Sequence, residues 1–440
     1  MRSFLRPLAL AALAAPAFLN GVEAGEPPGP VPPTALAADP SPPATGRRLS
    51  LADALALAFT HHPELAAARR EVEAAEAARL QAAAWPNPQL GIEWEDPGRQ
   101  GRSTTVQLSQ PIEWGGQRPA RIEAAEQAHQ MALARLAARR VDLRAAVHSA
   151  FVEALVAQEQ VRIAEADLQL AQRASDAARR QVLAGKVSPI EQSKAGVAEA
   201  GVRLQWLQAQ SARRTALGAL AAAIGQAGAA PEGVDGQLAL PPRPPTAARP
   251  ATERLAAAPA LRQARLEVQR LAALAALEQA RSRPDLTLTV GAKRSGELGR
   301  QQAIVGLALP LPLFDRNQGA HLEALRRQDQ AADEAQALAL RLQTELSRAE
   351  EGLATAQAEA EMLQQEVLPA ARQAHDAAAK GFELGKFEFR DVLDAQRTLL
   401  EARARHLRAL AESHRAAAEI DRLTGVDDPT AATPPLQMQP

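Results

Sequence analysis

Apolar positions along the chain follow two rhythms. Over most of its length they recur at helical spacing, i, i+3, i+4 and i+7, in alanine-rich segments. Ser50 is placed to cap a first helix running from about Leu51 to Ala84, which His61-His62-Pro63 divides into two pieces. Trp85-Pro86-Asn87-Pro88 ends it, and the period then drops to two. Leu90, Ile92 and Trp94 alternate with Gly91, Glu93 and Glu95. After a turn at residues 96–101, Thr104, Val106 and Leu108 alternate with Thr105, Gln107 and Ser109. Each predicted strand is about 8–10 residues, the length a tilted barrel strand needs to cross a bilayer.

From Gly116 a helical pattern runs to Leu183, on the order of 100 Å at 1.5 Å per residue and longer than any ordinary globular helix. Leu183-Ala184-Gly185-Lys186-Val187-Ser188 makes a bend, and a second helix runs from Pro189 to about Ile224. The plan then repeats. Pro259-Ala260-Leu261 echoes Pro63-Glu64-Leu65, and a helix continues to about Arg283. Leu286, Leu288, Val290 and Ala292 alternate with Thr287, Thr289, Gly291 and Lys293, and a fourth strand covers Gln301 to Leu309. A very long helix reaches about Gly381. Leu384-Gly385-Lys386-Phe387-Glu388-Phe389 forms the second bend, and a last helix covers Phe389 to Leu423.

The chain thus divides into a signal peptide (1–24), a Pro-rich leader (25–47), a first repeat (48–225, strands about 89–95 and 103–110), a linker (226–250), a second repeat (251–425, strands about 285–294 and 301–309) and a polar tail (426–440). The signal peptide is read from Arg2 and Arg6, the apolar run Leu8 to Leu19, and the small-residue site Val22-Glu23-Ala24. No later segment offers the roughly 20 uninterrupted apolar residues of a membrane-spanning helix, so a membrane could be crossed only by strands.

Composition narrows the picture. Hydrophobic side chains make up 46% of the 440 residues, yet aromatics are only 3% and Tyr is absent, which suits closely packed Ala/Leu helices more than a compact core. A net charge of −1 gives no basic footprint for nucleic acid. The absence of Cys excludes disulfides, thiolate metal sites and a catalytic thiol. No Gly-x-Ser-x-Gly, His-Glu-x-x-His or phosphate-binding Gly loop is present, so no enzyme is expected. Nor is a cofactor or a resident metal: His61, His62, His129, His148, His321, His375, His406 and His414 are scattered without ligand spacing. Four strands cannot close a barrel, and an open edge is not tolerated in lipid. The expected fold is therefore mostly α with a small β part, a tandem-repeat protomer of long antiparallel helices. Its four strands would contribute to a shared trimeric barrel of about 12 strands.

The repeat, the strand hairpin in each half and the two Gly-containing bends, with Asp391-Val392-Leu393-Asp394-Ala395 after the second, resemble the TolC family of outer-membrane efflux channels from Leu49 to Gly425. Gln110-Pro111-Ile112-Glu113-Trp114-Gly115-Gly116-Gln117-Arg118 and Leu313-Phe314-Asp315-Arg316-Asn317-Gln318-Gly319 are similar to its heavy-metal, CzcC-like branch. The resemblance implies a homotrimeric conduit in the outer membrane of a Gram-negative bacterium, with a long α-barrel in the periplasm. It would passively export heavy-metal cations, coupled through a periplasmic adaptor to an inner-membrane RND pump. Export of drugs or of polypeptides by type I secretion is the alternative within the channel class. A periplasmic coiled-coil scaffold without a pore is the alternative outside it. Some relatives carry a lipidated N-terminal Cys, which this chain lacks.

By the same resemblance, Asp391 and Asp394 supply acidic rings at the periplasmic gate, and Glu191 holds the matching place in the first repeat. Their spacing alone equally suits a solvated helix face. The tips Gly185, Lys186, Val187, Ser188 and Gly385, Lys386, Phe387 are the expected adaptor contacts, Val187 and Phe387 otherwise serving to staple the turns. Trp85, Trp114 and Phe314 fall at the helix side of strands, where either an aromatic belt against lipid or packing beneath the barrel rim would place them.

Overall fold

The computed structural model describes residues 48–95, 102–226, 228, 230–242, 250–295 and 300–425. The expected signal peptide, leader and tail, and residues 96–101 and 296–299 of the strand-joining turns, lie outside the described residues.

In the first repeat, α1 (Leu51–His61) and α2 (Pro63–Ala83) precede strands β2 (Gln89–Glu95) and β3 (Ser103–Ile112), then α3 (Gln117–Leu183) and α4 (Pro189–Ile224). Ser50 caps α1 through a reciprocal box with Asp53, and Pro63 opens α2 at a position that needs no backbone donor. In the second repeat, α5 (Ala251–Leu255) and α6 (Pro259–Arg281) precede β5 (Leu286–Ser295) and β6 (Gln301–Ala308). The long helix expected to reach Gly381 is not continuous in type. α7 (Gln318–Met362) passes through a π-helical turn (Leu363–Val367) into α8 (Leu368–Glu383), and α9 (Phe389–Thr424) closes the repeat. Pro369 explains the turn: proline has no N–H and would crowd a carbonyl in an ordinary helix interior, and the wider turn lets α8 restart with it in its first residues.

The segment between repeats is not featureless. Arg48–Leu49 (β1) pairs in parallel with Gly233–Val234 (β4), and Gln158 of α3 brackets Val234, donating to its carbonyl at 3.2 Å and accepting from its N–H at 3.3 Å. Such a long-range pairing leaves no periodic trace in two-residue strands.

α3 is the central element, packed against α2, α4, α6 and α9. Its buried face is rich in alanine (Ala154, Ala157, Ala171, Ala178), which lets neighbouring helices approach closely. One core cluster joins Leu49, Val147, Phe151, Leu220, Ile224 and Val234; a second joins Leu255, Leu261, Leu346, Ile420 and Leu423. These two cores hold the helix ends together midway along the repeats.

The four longer strands form one antiparallel sheet in the order β2-β3-β5-β6. Its register aligns Leu90, Leu108, Val290 and Val305 in one row and Ile92, Val106, Ala292 and Ala303 in the next. The other face carries Gln89, Ser109, Thr289 and Gly306, then Glu93, Thr105, Lys293 and Gln302, with Ile304, Pro111 and Ala308 its apolar exceptions. Strand parity therefore sorts the sheet into an apolar and a polar side. Gly291 permits the closest approach at its centre: a Cβ there would meet the Val106 carbonyl at 2.6 Å.

Candidate functional site at the hairpin tips and the strand wall

Each helical hairpin turns through the same backbone device. At the first tip Gly185 (φ +67°) comes after the end of α3, with its N–H donating to Val182 and that of Lys186 to Gln181, both at 2.9 Å. At the second, Gly385 (φ +70°) donates to Phe382 at 2.9 Å and Lys386 to Gly381 at 2.8 Å. The paired bonds satisfy the last carbonyls of the helix, and only glycine takes that φ at no steric cost. Ser188 caps α4 by accepting from Ile190, and Glu388 caps α9 in a box with Asp391.

The tips are packed side by side. Ala177, Ala178 and Ala195 of the first hairpin share a buried cluster with Ala378, Phe382, Phe389 and Val392 of the second, and Gln181 Nε2 donates to the Phe382 carbonyl at 2.8 Å. The Phe382 and Phe389 ring centroids lie 5.3 Å apart. Phe387 is half exposed and also lies over Gly381, where a Cβ would come within 2.1 Å of its ring. It therefore staples its own turn while leaving one side open. Val187 is half-buried; Lys186 and Lys386 are exposed and have no ion-pair partner among the described residues.

Asp391 is the third residue of α9, and its Oδ2 accepts the Glu388 N–H at 3.1 Å. Asp394 lies on the same exposed face one turn on, its carboxylate without a partner among the described residues, while Val392 and Gln396 point into the protein. A carboxylate at a helix N-terminus is favoured by the exposed N–H groups there, so Asp391 has a local structural task as well as a surface charge. Glu191 occupies the same third position in α4 but is half-buried and held by Lys194 at 2.9 Å.

A polar contact that the periodicity concealed lies above the tips. Asp167 of α3, only 3% exposed, is hydrogen-bonded and ion-paired to Arg403 of α9, tying one hairpin to the other. Burial pushes the Asp167 carboxyl above its ordinary value, opposed by Arg403 and by nearby His375. A charged residue in register with the buried alanines Ala171 and Ala178 was the available signal.

At the other end of the helices the Gln110–Arg118 run forms a joint. Arg118 donates to the Ala83 carbonyl at 3.0 and 2.8 Å and stacks over Trp85, 4.8 Å from the ring centre. Arg121 binds the Ala82 and Ala84 carbonyls and makes two bonds to Glu113, at 2.6 and 3.1 Å. Trp114 Nε1 donates to Pro284 at 2.7 Å. In the matching run of the second repeat, Asn317 donates to the Glu278 carbonyl at 2.8 Å. These residues lock the ends of α2 and α6 beneath the sheet. Trp85 and Trp114 are exposed and Phe314 is 93% exposed, so in the single chain none of the three is packed beneath the strands.

The apolar face of the sheet is equally open: Trp94 is 74% and Val305 77% exposed. On the polar face Lys293 meets Glu95 at 2.8 Å, Ser103 donates to the same carboxylate, and Ser109 and Thr289 hydroxyls lie 2.9 Å apart. No helix among the described residues is long and apolar enough to cross a membrane.

The outer membrane efflux protein family model matches residues 54–226 and again 251–426. The chain belongs to that family. This outer membrane efflux protein is a transport channel of the outer membrane with a long periplasmic extension, and not an enzyme. It is 41% identical over 378 residues to the cobalt-zinc-cadmium resistance protein CzcC of Cupriavidus metallidurans, covering 86% of this chain and 90% of that protein. It is 33% identical to the nickel and cobalt resistance protein CnrC of the same organism, covering 68% of this chain and 70% of that protein. In fold it is similar to the outer membrane protein VceC of Vibrio cholerae (TM-score 0.73, 20% identity, covering 85% of this chain and 96% of that one).

Proposed function

We propose that three copies of the chain join their sheets, β2 of one against β6 of the next, into a barrel of about 12 strands through the outer membrane. The apolar faces meet lipid, the polar faces line a wet lumen, and the long helices continue the wall into the periplasm. The observation that carries this reading is the two-faced sheet whose outer strands, β2 and β6, each have one unpaired edge among the described residues. Such edges are stable in lipid only when paired. Trp85, Trp114 and Phe314 then form the periplasmic aromatic girdle.

The cargo is heavy-metal cations, by likeness to CzcC and CnrC, whose names record resistance to cobalt, zinc, cadmium and nickel. No group of three or more His, Asp or Glu side chains able to hold a metal occurs among the described residues. The chain is accordingly a conduit, and the driving force comes from an inner-membrane RND pump reached through a periplasmic adaptor. The adaptor meets the tips, at Gly185 to Ser188 and Gly385 to Phe387. Asp391 and Asp394 form carboxylate rings at the periplasmic mouth, which favour cations, with a smaller contribution from Glu191.

The test is complementation. A strain lacking this chain but keeping its pump and adaptor should regain tolerance to cobalt, zinc or cadmium salts when the chain is restored. Regained tolerance to drugs without any change toward metals would replace the metal reading with the multidrug one. Recovery of the chain as a freely soluble periplasmic protein would remove the channel altogether.

A further inference from the structure

Strand β6 ends at Ala308, but its apolar rhythm does not. Val305 and Leu307 are followed at the same period of two by Leu309, Leu311 and Leu313, all exposed, with Pro310 and Pro312 between them. The Leu313 N–H bonds back to the Leu311 carbonyl at 2.8 Å, a local turn that pairing with another strand would open. On the opposite edge strand, Leu90, Ile92 and Trp94 of β2 are exposed in the same way. Both sets have the parity of the sheet's apolar face, one at each of its open edges among the described residues.

The chain contains a template for how these edges meet. Its halves match residue for residue around the strands. Pro111 matches Pro312; Gly116 matches Asn317, both with positive φ (+83° and +57°); Gln117 matches Gln318, the two residues that open α3 and α7. On the incoming side Pro88 matches Pro284. Under that match the pair Ile92↔Val106 of the first hairpin becomes Leu288↔Leu307 of the second, which is its register in the sheet. The hairpins are therefore equivalent, and the seam between them, β3 against β5, joins the outgoing strand of one repeat to the incoming strand of the next. There Leu108 faces Val290, Gln110 faces Leu288 and Ile112 faces Leu286.

We propose that the same seam recurs between copies, so that Leu309, Leu311 and Leu313 of one chain lie beside Trp94, Ile92 and Leu90 of the next. The proposal rests on the three-copy barrel above and adds its register. A sheet continued without stagger would instead set Val305 beside Leu90, since those two share a row in the single chain. From Val305 to Leu313 is roughly 26 Å of strand, so the two arrangements differ widely. The stagger inclines the strands, as closing a sheet into a barrel requires. The match is not exact in bulk. Gly115 lets the internal seam close, since a Cβ there would meet that of Arg283 at 2.7 Å, and the second repeat has Arg316 in its place. Likewise the buried Ala124 of α3 is matched by the exposed Leu325 of α7. The helix starts beneath the seam therefore stand further apart between copies than within one.

The chain has no cysteine, so engineered thiols report cleanly. With a short bis-maleimide on the purified assembly, Leu108→Cys with Val290→Cys should link within one chain and serves as the control. Leu90→Cys with Leu313→Cys should link neighbouring chains into a covalent trimer on a denaturing gel, and Leu90→Cys with Val305→Cys should not. A trimer linked through positions 90 and 305, or one in which the control alone reacts, would overturn the register and leave the three-copy barrel standing. A monomer by native mass measurement, with no link between chains, would overturn both.

Discussion

The two hairpin tips share a backbone and differ in chemistry. Both close through a left-handed glycine with the same pair of carbonyl-capping bonds. Both place a carboxylate at the third position of the outgoing helix, Glu191 in one and Asp391 in the other. At the first tip that charge is neutralised by Lys194. At the second, Asp391 is spent partly on the helix cap, Asp394 is unpaired among the described residues, and Phe387 lies over a glycine where the first repeat has Gln181. Duplication preserved the turn because the helix end demands it. The side chains around it differ, with the unpaired surface charge and the half-exposed aromatic on the second of the two copies.

The sharpest way to break this comparison is to separate the hairpins. Asp167→Ala leaves the half-buried Arg403 guanidinium without its partner and should cost about 1–3 kcal/mol, seen as a drop in thermal unfolding temperature. Removing Glu153, whose 3.6 Å contact with Arg415 is exposed, should cost under about 1 kcal/mol. Equal losses would show that the tips are not held together by the buried pair.

Next in size is the charge asymmetry. Asp391→Ala with Asp394→Ala should raise single-channel conductance and weaken cation preference in planar bilayers, while Glu191→Ala should change both much less. Unchanged selectivity in the double variant would mean that those carboxylates do not face the axis.

The shared backbone device predicts a smaller, symmetric effect. Gly185→Ala and Gly385→Ala should each cost about 1–2 kcal/mol, because a side chain at that φ is strained whatever surrounds it. Gly381→Ala should add a loss of its own by displacing Phe387, and has no counterpart at Gln181. Urea midpoints of the purified assembly would rank the three.

The smallest effect is one of pH, away from the tips. His148 is pushed below its ordinary 6.5 by burial, then by His414 and Arg144; burial likewise lowers His406, and lowers His414 against an opposing bond to the Ala239 carbonyl. The unfolded chain therefore takes up protons that the folded chain resists. Stability from these residues is complete above 6.5 and falls as pH drops through it. Replacing His148 and His414 with Gln should flatten the decline in melting temperature between pH 7 and 5. A slope identical to that of the parent would assign it to other groups.

The helices, the strands and the bends were legible in the chain alone. Apolar spacing distinguishes a period of 3.6 from one of 2, and Gly185, Gly385, Pro63 and Pro189 punctuate the elements through local sterics that need no distant partner. Local pattern also located Asp391, Asp394 and Glu191 on helix starts, but not their differing states, which depend on the Glu388 N–H and the Lys194 ammonium in three dimensions. Packing in space was needed to bring Asp167 to Arg403, to tie the helix ends under the sheet through Arg118 and Arg121, and to pair β1 with β4. Each of these contacts joins residues far apart in the chain, and a side chain's partner across such a distance leaves no period to read. The strand wall lies between these cases: alternation sorted its faces, while the β3–β5 register that aligns the rows across both repeats came from the fold.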